Sequence, residues 1–241
     1  VRLTAPEMAI APWIMDAPLN HEHLPRVEAA MARWPEAWDG FQRFVTTFWP
    51  VSHVGQGGRG CTSGHAVRDA RRIVYVTVDD VEGCREGLLH EWGHLRLEAM
   101  GVDLETHDGW LLANDPAERY VSPVRKDVLR PMSAVIHGFY AWALMGTGDV
   151  IAAEHGAERE VVDFLRTNVA KIEEGLLTLD RHARWTVAGA PFGAELLRCG
   201  RELAARMWRI VPESRDAVYA RHREWVEAQP VSGSPLYGTA K

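Results

Sequence analysis

Residues 88–98, LLHEWGHLRLE, place two histidines four apart with a glutamate directly after the first. On a helix, positions i and i+4 lie one turn apart on one face, so the His90 and His94 imidazoles can reach a single divalent ion. At about 100° per residue, Leu88, Trp92, Leu95 and Ala99 share one side of that helix. His90, Glu91, His94 and Glu98 fall on the other side with Gly87 among them, predicting one face against a core and one face bearing ligands. With 11 histidines in the chain, chance produces His-Glu-x-x-His in roughly 4% of such sequences, so the pattern favours a metal site. The similar cluster His21-Glu22-His23 sits in a proline-rich stretch and reads as surface histidines.

Two ligands do not complete a site. Glu98 lies about 12 Å along the axis from His90, too far to meet the same ion from one straight helix. Met100 stands where the longer zinc-protease pattern has its third histidine. Glu118, 24 residues beyond His94, matches the third ligand of thermolysin-like enzymes only loosely, and His107 sits in a polar loop. His137, within RPMSAVIHGFYAWALMG, shares a helical face with Arg130, Ser133, Ala134 and Ala141. Arg130, two turns before it, suits a carboxylate partner held in bidentate fashion near a metal.

The elements that must position these groups follow from local pattern. RRIVYVTV, 71–78, is β-branched and aromatic and reads as a strand. Asp79 and Asp80 end it and can cap a helix from Val81 to Met100, stopped by Gly101. A further helix is expected to open at Pro131 and run to Gly146, followed by a long amphipathic helix over roughly 149–182. PFGAELLRCGRELAARMWRIV and a charged segment to Gln229 supply two more helices, and 230–241 reads as a loose tail. Residues 1–50 read as proline-punctuated helices, with Pro25 and Pro35 near helix starts and an aromatic patch FQRFVTTFWP. GQGGRGCTSG, 55–64, lacks the Lys-Ser/Thr ending of a phosphate loop and reads as a flexible connection. The expected fold class is α+β, predominantly helical, with a small sheet near 71–78 packed on a helical bundle. One domain is expected over 1–241: N-terminal helices to 50, a metal-site region over 55–146 and C-terminal helices over 149–229.

Composition narrows the function classes. A net charge of −6 speaks against a general nucleic-acid binder. Cys61, Cys84 and Cys199 are too few and too scattered for a disulfide framework and fit a reducing compartment. No run approaches 18 apolar residues and the N-terminus does not read as a signal peptide, so no membrane partner and a cytoplasmic location are expected. The 10 tryptophans read as core and interface filler.

HEWGHLRLEAM, followed by RYVSPVRKDVLRPMSAVIHGFYAW, resembles the HExxH-type peptide β-hydroxylases of ribosomal-peptide biosynthesis. The matching parts span about residues 60–145. In that family a Pro-Trp-Arg-x-Asp-Pro-Arg-Pro stretch and a His-Gly-x-Tyr-Ala helix follow the motif; here Val124 stands at the tryptophan, and the spacing from Arg125 to Arg130 is one residue longer. The resemblance implies iron(II), 2-oxoglutarate and O₂ as cofactors and a peptide, of the ribosomal precursor kind, as substrate. It implies His90, His94 and His137 as iron ligands and Arg130 or Arg125 as the anchor for the distal carboxylate of 2-oxoglutarate. Glu91 occupies the motif glutamate. The competing expectations are a zinc-dependent HExxH metallopeptidase, with Glu91 as general base and Glu118 or His137 as third ligand, and a non-enzymatic partner-binding helical domain.

Overall fold

The computed structural model describes residues 14–53, 63–68, 71–100, 102, 110–126, 128–156 and 159–228. The glycine-rich loop up to Thr62, Gly101, His107 and the tail from Gln229 lie outside the described residues. The fold is α+β and predominantly helical. In chain order it runs β1 (Ile14–Asp16), α1 (Leu24–Met31), α2 (Pro35–Phe44), β2 (Thr47–His53), β3 (Ser63–Arg68), β4 (Arg71–Thr77) and α3 (Val81–Ala99). There follow α4 (Met132–Glu154), α5 (Arg159–His182), α6 (Ala190–Ile210) and α7 (Arg215–Glu227). The chain divides into two compact units, one drawn from residues 1–102 and 141–163, the other from 103–140 and 164–241. No helix among the described residues is long and apolar enough to cross a membrane.

The first unit holds a four-stranded sheet in the order β1-β2-β4-β3. The Val/Ile/Tyr-rich β4 is central, parallel to β2 and antiparallel to β3, with Tyr75 opposite both Trp49 and Gly64. The expected helical reading of residues up to 50 fails at β2, whose aromatic and β-branched residues pair with β4 from Thr47 to Val51. Pro50 stands just past the β1 register, which ends at the Asp16–Val51 pair, and there its carbonyl accepts from Ala17 N at 3.0 Å. A Cβ at Gly64 would lie 2.3 Å from the Tyr75 hydroxyl, so glycine makes room for the cross-strand ring.

Helix α3 packs on β3 and β4 and also meets α1 and α2. Asp80 caps it, accepting from Gly83 N at 3.4 Å. Burial extends well beyond the expected core face: Arg85, Glu86, Gly87 and Glu91 are buried along with Leu88, Trp92 and Leu95. The reason is that α3 is enclosed from several directions, α4 included. A Cβ at Gly93 would stand 2.9 Å from Ala141 Cα, and one at Gly148 would stand 2.3 Å from Leu89 Cδ1. The two backbones approach this closely only because a side chain is missing at each crossing.

Those glycines also explain a difference from the expected helix boundaries. Gly146 does not stop α4, which continues to Glu154, and the expected helix over 149–182 is divided between α4 and α5. The break comes at Gly156, which takes φ +77°, a left-handed conformation that ends helices readily. His21 and His23 also differ from expectation. They are half-buried, and His23 Nδ1 lies 2.8 Å from the Val78 carbonyl oxygen, fastening the start of α1 beyond the end of β4.

In the second unit, Phe139 on α4 is fully enclosed, and α5 and α6 close on it through glycines. A Cβ at Gly175 would lie 2.4 Å from its Cδ2 and one at Gly200 2.9 Å from its Cζ. The segment leading into α4 is pinned by backbone: Tyr120 and Arg130 exchange two hydrogen bonds, of 2.8 and 2.9 Å. Just before it, buried Ser122 turns the chain by accepting from Val124 N and Arg125 N, each at 3.2 Å.

Candidate functional site

His90 and His94 meet as their spacing predicts. Their Nε2 atoms are 3.0 Å apart, and the rings stand edge to face with centroids 4.5 Å apart. Two imidazoles bound to one ion at about 2.0–2.1 Å, with ~90° between them, would hold their nitrogens ~3 Å apart. The pair therefore fits two neighbouring ligands of a divalent first-row metal without rearrangement. Trp142 of α4 lies on the far side of His90, edge to face at 5.9 Å, and limits how that ring can turn. Burial lowers the His90 pKa, against the opposing pull of the Glu91 charge. The ring is thus held neutral, the form that binds metal. Its Nδ1 is buried and without a hydrogen-bond partner.

Glu91 has a different environment from the one its motif position implies. Helical geometry puts it about 100° round from His90, on the flank facing the sheet. There β3 supplies two donors. Ser63 and His65, two apart on a strand and so on one face, reach it together. Ser63 Oγ donates to Glu91 Oε1 at 2.6 Å, and His65 Nδ1 donates to Oε2 at 2.5 Å. Glu91 is only 3% exposed. Burial alone would raise its pKa; the His65 hydrogen bond, the neighbouring His90 and His65 and the Ser63 hydroxyl outweigh that and lower it. The carboxylate is ionised, enclosed and engaged through both oxygens. The His65 ring also lies against His94, with centroids 5.1 Å apart.

A second polar cluster occupies the same helix. Arg85, 2% exposed, donates through Nη2 to Asp149 at 2.5 Å and through Nε to Glu82 at 2.7 Å. Glu86 lies beside them; burial first, then the Asp149 charge, pushes its pKa well above the usual carboxylate range.

The other candidates from the sequence lie in the second unit. His137 is half-buried on α4, followed by Gly138, where an added Cβ would sit 3.8 Å from Val124 Cγ2. Arg130 follows directly from the backbone pair with Tyr120, and Arg125 closes the Ser122 turn. Glu118 is fully engaged. It accepts from Tyr120 Oη, from Arg184 Nη2 at 2.9 and 2.8 Å through its two oxygens, and more distantly from Asn114. The Tyr120 and Arg184 hydrogen bonds hold its pKa at about 2. A carboxylate so committed is a structural tie, which removes support from its role as a third zinc ligand. Among the described residues no group of three or more His, Cys, Asp or Glu side chains is gathered in a way that could hold a metal ion.

Three residues of this site were not singled out from the sequence: Ser63, His65 and Trp142. The Ser-x-His alternation next to a strong strand is the signal that could have found the first two. No protein-family model matches the chain, and no curated protein matches it.

Proposed function

We propose that this chain is an iron(II)- and 2-oxoglutarate-dependent oxygenase that hydroxylates the β-carbon of a side chain in a peptide. The observation that supports it over hydrolysis is the state of Glu91. A metallopeptidase needs this glutamate free beside the metal to take a proton from bound water. Here both of its oxygens accept hydrogen bonds from β3, and it faces away from solvent. Oxidation of a C–H bond asks for no such base.

His90, kept neutral by burial, and His94 would hold the metal, with Trp142 fixing the His90 ring and the Glu91 charge close by. The third ligand, His137, and the arginine for the distal carboxylate, Arg130 or Arg125, come from the sequence resemblance. Bound iron with 2-oxoglutarate and O₂ would supply the oxidant. The chain's own part is to bind and orient. Arg130, whose backbone is tied to Tyr120 at the entrance to α4, starts from a fixed point, as a bidentate clamp requires.

Glu91→Gln separates this reading from the zinc alternative. Glutamine keeps the size and can still accept from Ser63, but it is no base. The variant should retain iron-dependent conversion of 2-oxoglutarate to succinate, measured on anaerobically reconstituted protein. Zinc-dependent peptide cleavage that falls by about 10²–10⁴-fold in this variant would instead establish a hydrolase. Absence of metal binding by the parent would leave the binding-domain reading standing.

A further inference from the structure

Strand β3 brings to the His90–His94 pair an imidazole that the motif does not contain. His65 touches both parts of the site: its Nδ1 meets Glu91 Oε2 at 2.5 Å, and its ring lies 5.1 Å from that of His94. We propose that His65 is a positioning residue, which locks the Glu91 carboxylate and so holds the α3 histidines in register for a metal ion. The proposal rests on the reading that His90 and His94 bind metal.

The physical case has three parts. First, Glu91 is next in sequence to His90, and its carboxylate is enclosed; a buried carboxylate keeps one rotamer and one charge state only if its oxygens are satisfied. Ser63 and His65 do this from a strand, a firmer base than a loop. Second, a fixed negative charge beside two imidazoles favours occupation by a cation. Third, the bond to Glu91 places the His65 proton on Nδ1, so this ring meets the His94 ring in one tautomer and one orientation. Hydrogen-bond partners that lie behind the ligands of metal sites orient them in this way, and their loss costs about 10–100-fold in metal affinity. His65 is assigned to positioning because its Nδ1 is engaged by Glu91 and its contact with His94 is ring to ring.

The test is Co(II) uptake by metal-free full-length protein, followed by visible absorption, alongside the thermal midpoint of the metal-free form. His65→Ala should weaken Co(II) binding by about 10–100-fold. His65→Asn, whose side-chain amide can donate from close to the Nδ1 position, should recover to within about threefold of the parent. Parent-like affinity in His65→Ala overturns the proposal. Equal loss in both variants also overturns it, because the ring itself would then be what the ion needs. Should His65→Ala not fold, Ser63→Ala removes only the other donor to Glu91; it should cost about fivefold, the worth of one hydrogen bond, and parent-like affinity there overturns the proposal. A parent that takes up no Co(II) overturns the metal reading itself, a result distinct from a parent that binds while the variants bind equally well.

Discussion

Arg85 and His90 lie five residues apart on α3, and the first unit encloses both, yet they are surrounded in opposite ways. Arg85 meets its complement: Asp149 and Glu82 supply negative charge at hydrogen-bond distance, and the neighbouring carboxyl, Glu86, is pushed toward its neutral form. His90 meets its like. Its Nε2 faces the Nε2 of His94, its Nδ1 has no partner, and the charge beside it on Glu91 is fastened to β3. A buried polar group answered by its opposite is part of the frame. Two half-buried imidazole nitrogens 3.0 Å apart are spaced so that one ion could be shared between them. The same helix therefore holds a cluster closed by opposite charge, although Arg85 Nη1, Glu86 Oε1 and Asp149 Oδ2 have no hydrogen-bond partner among the described residues, and an open pair of like groups.

Breaking the closed cluster should have the largest effect. Arg85→Met fills similar space but leaves Asp149, fully buried, without its counter-charge. A loss of about 3–5 kcal/mol is expected in urea unfolding, the usual consequence of stranding one member of a buried ion pair. A loss below about 1 kcal/mol would mean that water already reaches the cluster. Breaking the open cluster should act through metal instead. A divalent ion at about 100 times its dissociation constant should stabilise the parent by about 2.7 kcal/mol. In His94→Ala that increment should vanish, and the proposed function expects the same of His137→Ala, while His107→Ala should keep it. Full metal-induced stabilisation of His94→Ala would remove the distinction between the clusters. Full stabilisation of His137→Ala would take His137 out of the ligand set.

How far these regions were legible in the sequence differs in the same way. The α3 helix and its His90–His94 pair were readable because i, i+4 spacing is a local property and Asp80 marks the start. The strand β4 was readable from its β-branched run. What could not be read depended on neighbours distant in sequence. Wheel geometry grouped Glu91 with the histidines, but its direction is decided by Ser63 and His65, 28 and 26 residues away. Arg85 and Glu86 drew no attention in the sequence; Asp149, 64 residues on from Arg85, makes the burial of Arg85 possible. Gly146 read as a stop and Gly148 was given no role, because local pattern does not distinguish a glycine that ends a helix from one that admits another helix. Gly148 is of the second kind, pressed against Leu89. The element that does end α4 is Gly156, whose positive φ follows the last turn.

The smallest expected effect is also the finest test of the contrast, and it concerns Glu86. In the folded chain burial and the Asp149 charge keep its carboxyl protonated well above the ordinary range, and the proton is shared in a hydrogen bond with Asp149. An unfolded glutamate releases its proton near pH 4.3. Between that pH and the raised folded value, the native state holds a proton that the unfolded state has lost. Stability must therefore fall as pH rises through this window. Glutamine at this position is a permanent stand-in for the protonated acid, with an amide N–H to give to Asp149. Glu86→Gln should thus match the parent near pH 4 and be the more stable of the two at pH 8, in urea unfolding at both values. Asp149→Asn is the counter-test: it removes the charge that Arg85 requires and should destabilise at both pH values. If Glu86→Gln instead runs parallel to the parent from pH 4 to pH 8, Glu86 is ionised in the folded chain. The cluster then carries unbalanced negative charge in an enclosed space, and it, no less than the histidine pair, would be a place that waits for a cation.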